Sequence, residues 1–192
     1  MDKNELLYDH YKETYSLHLE VRKKRDTSFV MLCIGITLLF CFLLDPAGVF
    51  ESIYEMIKDH FSLELPFKST IIQSFVWVMV LYFFIRYFQS SIYIERLYKY
   101  IGELENTVSK NYQIKFDRES KSYEDNYPII LEIIHFIYMW IFPILSIVII
   151  VLKIYFEFIN INNIVSLIFD IIIAIMIIGL NICYLFFISI KK

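Results

Sequence analysis

Residues 69–110 read STIIQSFVWVMVLYFFIRYFQSSIYIERLYKYIGELENTVSK, and this stretch decides the architecture. Its first half is apolar and aromatic, as a segment immersed in lipid must be. Its second half is amphipathic, with charges on one side. No proline interrupts it and Gly102 is its one glycine, so the backbone can form a single continuous helix. The reading is a membrane span that runs straight out into the cytoplasm. In the outer half Ile94, Leu97, Ile101, Leu104 and Val108 repeat at 3-4-3-4 spacing, a two-heptad seam. A helix from Ile71 to Val108 is roughly 57 Å long at ~1.5 Å per residue, about twice a ~30 Å hydrocarbon core. Two heptads are too short to hold together alone. The seam must therefore bury against the N-terminal helix, the same helix of a second copy, or a partner protein.

The rest of the chain agrees with a lipid setting. Hydrophobic residues make up 58% of 192, including 18 Phe and 15 Tyr, and the mean hydropathy is +0.55. That is too apolar for a soluble globule of this length. The net charge of −3 offers no basic surface for nucleic acid. Cys33, Cys41 and Cys183 all fall in apolar runs without paired spacing, and read as small buried hydrophobes rather than disulfides or metal ligands. The first apolar run begins near Thr27 behind a long charged segment, with no small-residue cleavage site after it. No signal peptide is expected.

Four spans emerge from the pattern, and the expected fold is an all-α polytopic membrane protein. Residues 1–27 form a cytoplasmic amphipathic helix with Leu7, Tyr11, Tyr15 and His18 on one stripe, ending in the basic run 22–25. Residues 28–94 hold the first transmembrane hairpin. Its first span, Ser28–Leu44, is closed by Asp45-Pro46. An acidic connection follows, in which Phe50, Ile53, Ile57 and Phe61 suggest a helix on the outer surface near 50–61. Residues 95–127 are the cytoplasmic extension of the second span and a loop in which Tyr112, Ile114 and Phe116 alternate as a short strand does. Residues 128–192 form the second hairpin. Pro128 opens a third span, Ile129–Leu152, which Pro143 should kink; a loop, Lys153–Asn163, leads to a fourth span, Ile164–Ile190.

Basic residues set the orientation. Six Lys and Arg precede the first span, six lie between Glu95 and Tyr127, and two end the chain; Lys58, Lys68 and Lys153 fall on the other side. The positive-inside rule then places both termini in the cytoplasm, with the protein in the inner membrane.

Polar groups inside spans are expensive, on the order of 2.5–3.5 kcal/mol for a central charge, so each needs a reason. On the fourth span Ser166, Asp170, Ala174 and Asn181 share one helical face. That face reads either as an ion- or proton-sensitive site or as an interhelical hydrogen-bond anchor. On the third, Glu132 and His135 sit one turn apart. A Glu-x-x-His pair can ligate metal in a bundle, but the di-iron pattern needs a second such pair and two more Glu, which are lacking, so no metal is expected. By depth, Arg86 leaves the membrane where Glu132 enters it. The two either pair, with His135 as a further contact, or Arg86 snorkels to headgroups. No phosphate loop, nucleophile elbow, metal set or paired carboxylate motif appears, so neither catalysis nor a cofactor is expected.

The N-terminal helix at Asn4–Arg25, four spans with inside termini and the Arg86–Lys110 extension together give a layout. It resembles the small multi-spanning membrane proteins encoded beside cytoplasmic effectors in bacterial antiphage defence systems, the membrane subunit of the Kiwa system being nearest. The resemblance implies an oligomer that senses membrane disturbance and signals to a soluble partner. Expected function is accordingly a non-enzymatic, homo-oligomeric membrane platform with a cytoplasmic protein partner. A pore with the Asp170 stripe lining a path between subunits is the alternative, and a small proton-coupled transporter the third. With glycines only at 35, 48, 102 and 179, oligomer contacts are expected from bulky side chains or from the cytoplasmic parts.

If Arg86 and Glu132 pair, Arg86→Glu and Glu132→Arg each lower the yield of folded protein in mild detergent, and the double exchange recovers it. A double variant no better folded than either single one removes the pair.

Overall fold

The computed structural model describes residues 3–61, 69–113, 129–160 and 163–190. Its elements in chain order are α1 (Lys3–Leu44), α2 (Pro46–Phe61), α3 (Ser69–Tyr112), α4 (Ile129–Phe136), a π-helical turn (Ile137–Ile141), α5 (Phe142–Ile159) and α6 (Ile164–Ile190). No strand occurs among the described residues. Tyr112 closes α3, while Ile114 and Phe116 lie outside the described residues. Helices α1 and α3, the run Ile137–Ile159 and α6 are long and apolar enough to cross a membrane, which makes the fold an all-α polytopic membrane protein.

Helix boundaries follow local chemistry. α1 carries no proline, so the polar N-terminal stretch and the first apolar run form one helix rather than two. Pro46 stops it, because its ring nitrogen has no hydrogen for the carbonyl four residues back. The same proline starts α2 at the first helical position. Asp45 caps that helix, its Oδ1 accepting the Gly48 N–H at 3.0 Å. On α2 Phe50, Ile53 and Ile57 are half-buried while Glu51, Glu55 and Asp59 are exposed, and the Phe61 side chain lies outside the described residues. Asn163 starts α6 in the same way, its Oδ1 accepting the Val165 N–H at 3.0 Å.

The run Ile137–Ile159 is long and apolar enough to cross a membrane and overlaps the expected span Ile129–Leu152, but the loop expected from Lys153 is helical to Ile159. Helix α5 continues straight through Lys153 because that residue's charge is matched inside the bundle, as described below. Near Pro143, which lacks a donor, the chain winds as a π turn over Ile137–Ile141. A π turn widens the hydrogen-bond spacing and so accommodates the break in the ladder.

The chain divides into two compact units, Met1–Ser28 with Arg86–Phe136, and Phe29–Ile85 with Ile137–Lys192. In the first, all five seam residues are buried: Ile94, Leu97, Ile101, Leu104 and Val108. Tyr11 of α1 packs with Ile101 and Leu104, and Leu7 leans on that cluster. Polar groups flank it, the Tyr11–Glu105 pair and His18 buried and the His10–Tyr100 pair exposed. The Tyr11 hydroxyl donates to Glu105 Oε1 at 3.1 Å, His10 Nε2 bonds the Tyr100 hydroxyl at 2.8 Å, and the His18 ring meets Tyr98 edge-on at 4.6 Å between centroids. The seam is therefore closed within one chain. A second copy or another protein is not needed to bury it, because α1 supplies the opposing face.

In the second unit α1 approaches α3 at Gly35, where an added Cβ would lie 2.7 Å from Val80 Cγ2. Phe29 of α1 holds the other hairpin through edge and tilted ring contacts, 4.8 Å from Tyr138 and 4.8 Å from Phe142. Helices α5 and α6 pack along matching stripes: Pro143, Ser146, Ile150, Lys153 and Glu157 on one, Leu167, Asp170, Ala174, Ile177 and Asn181 on the other. All are buried except Glu157, which is nearly so. Both stripes have 3-4-3-4 spacing, the geometry of left-handed helix pairs.

Ile101→Ala should destabilise the first unit by ~2–5 kcal/mol, as for other large-to-small core changes. Leu97→Asp should open it to protease between residues 86 and 112, with the apolar helices still inserted in vesicles. Cleavage no faster than in the parent protein would mean the seam is not that unit's core.

Candidate functional site

The densest polar chemistry lies among the apolar helices of the second unit, and it begins with Pro46. In an α-helix the Phe42 carbonyl would accept from the nitrogen four residues on. That nitrogen belongs to Pro46, so the carbonyl is orphaned. Lys153 of α5 fills the vacancy, its Nζ 3.1 Å from Phe42 O. The location also suits a cation electrostatically, since the C-terminal end of a helix carries partial negative charge. The ammonium lies 6.0 Å from the Phe42 ring centroid as well. Lys153 is 3% exposed.

One turn further along α5, Glu157 takes the second ammonium bond. Its Oε1 is 3.2 Å from Lys153 Nζ, and its side chain is 11% exposed. The same oxygen accepts a bond from Gln73 Nε2 of α3. Trp77, one turn along α3 from Gln73, lies beside Glu157. Its indole N–H and the other carboxylate oxygen, Oε2, are both buried.

Asp170 of α6 completes the cluster. Its Oδ1 accepts the Ser74 hydroxyl at 2.8 Å. With the Ser74 proton committed there, the 3.1 Å contact between Ser74 and Ser166 is a bond donated by Ser166. Gln73 and Ser74, adjacent on α3, bond Glu157 and Asp170 respectively. One cation and two carboxylates thus share a site built from α1, α3, α5 and α6. A second, neutral anchor joins α5 to α6. Ser146 Oγ is 2.8 Å from Pro143 O and 3.3 Å from Asn181 Oδ1, and Asn181 Nδ2 donates to Ile177 O at 2.9 Å.

The residues singled out from the sequence separate accordingly. Asp170 and Asn181 are both buried, and each bonds a neighbouring helix of the same chain. Asp170, Ala174 and Asn181 of the fourth-span stripe are buried within the chain. Arg86 is exposed. Glu132 and His135 belong to α4, but their side chains lie outside the described residues, and so does any pairing with Arg86. Lys153, Glu157, Gln73, Ser74 and Trp77 were not singled out. A signal for them existed: Lys153 and Glu157 stand four apart within an otherwise apolar run, and Gln73-Ser74 interrupts another. Lys153, read instead as a loop residue facing the outside, is a buried helical residue.

Compared with protein-family models, curated proteins and solved structures, the chain matches none.

Removing one partner of a buried pair strands the other. Lys153→Met should therefore cost about 3–5 kcal/mol, and adding Glu157→Gln should restore most of the loss. Thermal unfolding in detergent measures both, and a double variant as unstable as the single one would show that the charges are not coupled.

Proposed function

We propose that this multi-pass membrane protein is a non-enzymatic platform in the inner membrane, oligomeric in its working form, that couples a membrane event to a cytoplasmic protein partner. The observation that carries this reading is continuity. α1 and α3 each run unbroken through both compact units, so each unit shares two hydrogen-bonded helices with the other. In this proposal α1 and α3 carry the membrane event to the polar unit. The closed seam leaves the outer faces of those helices, and not the seam, for a partner or a second copy.

Orientation belongs to the same proposal. With Lys153 buried in α5, fourteen Lys and Arg stand on the proposed cytoplasmic side against Lys58 and Lys68 on the other. That distribution supports an orientation with both termini in the cytoplasm. The antiphage setting implied by the resemblance supplies a context in which a membrane protein reports to a soluble effector. Between platform and pore, the inward-facing Asp170 stripe favours the platform, since a pore needs its polar groups on a continuous wet surface.

Reconstituted alone in vesicles, the purified protein should hold a preloaded potassium gradient as well as empty vesicles do, while light scattering in mild detergent gives a single discrete oligomer mass. A leak that disappears in Asp170→Asn would establish the pore instead. A monomer that holds the gradient would leave neither reading standing.

A further inference from the structure

The cluster around Lys153 contains a charge that its own members do not balance. Among the described residues, the titratable groups that meet there are Lys153 and Glu157 on α5 and Asp170 on α6. Facing them, α3 presents Gln73, Ser74 and Trp77, α6 adds Ser166, and α1 offers the Phe42 carbonyl. None of these carries a formal charge. One ammonium therefore confronts two carboxylates, in a region where an ion's desolvation still costs several kcal/mol after relaxation.

Geometry shows where neutralisation falls short. The Lys153 ammonium directs its bonds to Phe42 O and Glu157 Oε1. Asp170 has a neutral hydroxyl as its hydrogen-bonded partner at Oδ1, and it is 1% exposed. The indole N–H of the fully buried Trp77 stands beside the Glu157 carboxylate.

We propose that the Lys153–Glu157–Asp170 cluster is a binding site for one proton, held in common by the Glu157 and Asp170 carboxylates. A single added proton makes the triad neutral without any further ligand. It belongs to the pair rather than to one residue, because two carboxylates that repel each other across a shared site titrate as a unit. A metal cation fits less well. The Lys153 ammonium and the Gln73 amide already point donors at Glu157, and Trp77 adds a third N–H beside it. Among the described residues no group of three or more metal-ligating side chains exists. Ser166 and Ser74 extend the site as a short hydroxyl chain ending on Asp170. The inference does not depend on whether the polar unit meets a partner, and it holds equally for a platform or any other role.

Infrared spectroscopy of the full-length protein in lipid vesicles at neutral pH tests it. The wild type should show the C=O stretch of a protonated carboxyl group, shifted on exchange into D2O. Asp170→Asn should lose that band while circular dichroism still reports a helical protein. Should that variant not fold, Glu157→Gln serves, because it leaves Lys153 facing a single carboxylate and should lose the band as well. Absence of the band in the wild type would overturn the proposal. So would its persistence in both variants, which would assign it to another carboxyl, the buried Glu105 first. A wild type without the band whose unfolding temperature rises in sodium chloride but not in choline chloride would replace the proton with a metal ion.

Discussion

The bond from Lys153 to the Phe42 carbonyl sets the terms for the whole apolar unit. Inside hydrocarbon there is no water to take up a backbone group that has lost its partner, so every polar atom must be answered by another part of the chain. Pro46 removes the one donor that Phe42 would ordinarily use. The donor that replaces it comes from a helix more than a hundred positions away, and it brings a full charge. That charge requires Glu157, Glu157 recruits Gln73 from α3, and the excess carboxylate of Asp170 is held by Ser74. A single missing N–H thus propagates into a network with a contribution from α1, α3, α5 and α6. Dispersion and ring contacts fill in around it, as at Gly35 with Val80 and at Phe29 with Tyr138 and Phe142.

The polar unit reaches closure by different chemistry. Its seam is aliphatic and packs on Tyr11, and two polar pairs, the buried Tyr11 with Glu105 and the exposed His10 with Tyr100, join the same two helices. There apolar burial can drive association, at roughly 25 cal/mol per Å² removed from water. Between helices surrounded by lipid that driving force is missing, and hydrogen bonds and close packing must substitute. It is consistent that charged and amide side chains occupy stripe positions on α5 and α6, whereas Ile and Leu occupy them on the amphipathic half of α3.

These differences explain what the sequence made legible. Helix α3 was readable almost to its ends, because an unbroken apolar run followed by a heptad seam has one sensible interpretation. α6 was readable for the first of those reasons. Asp170 and Asn181 stood out as polar groups within an apolar run, and both are buried. Lys153 was misplaced because hydropathy treats a charge as the end of a span, and the partner that allows it inside, the orphan carbonyl of Phe42, becomes visible only when a proline is considered together with a distant helix. Glu157 fell with it, having been assigned to the same loop. Gly35 carried no motif at all; its role depends on Val80 lying opposite, which is tertiary information. The paired stripes of α5 and α6 do have heptad spacing, but a reader who allows only apolar residues at such positions passes over Ser146, Lys153, Asp170 and Asn181.

The network also has an order in time. α1 and α3 are synthesised before α5 and α6, so the Phe42 carbonyl, Gln73 and Ser74 enter the membrane while none of their charged partners exists. Lys153 and Glu157 follow together, neutral as a pair, and Asp170 arrives last with the closing helix. A nascent chain halted before α6 therefore carries a satisfied ion pair but an idle Ser74 on α3. The polar pairing described above is complete only once α6 has joined α3 and α5, which makes the insertion of α6 the step at which the bundle is either closed or exposed to quality control.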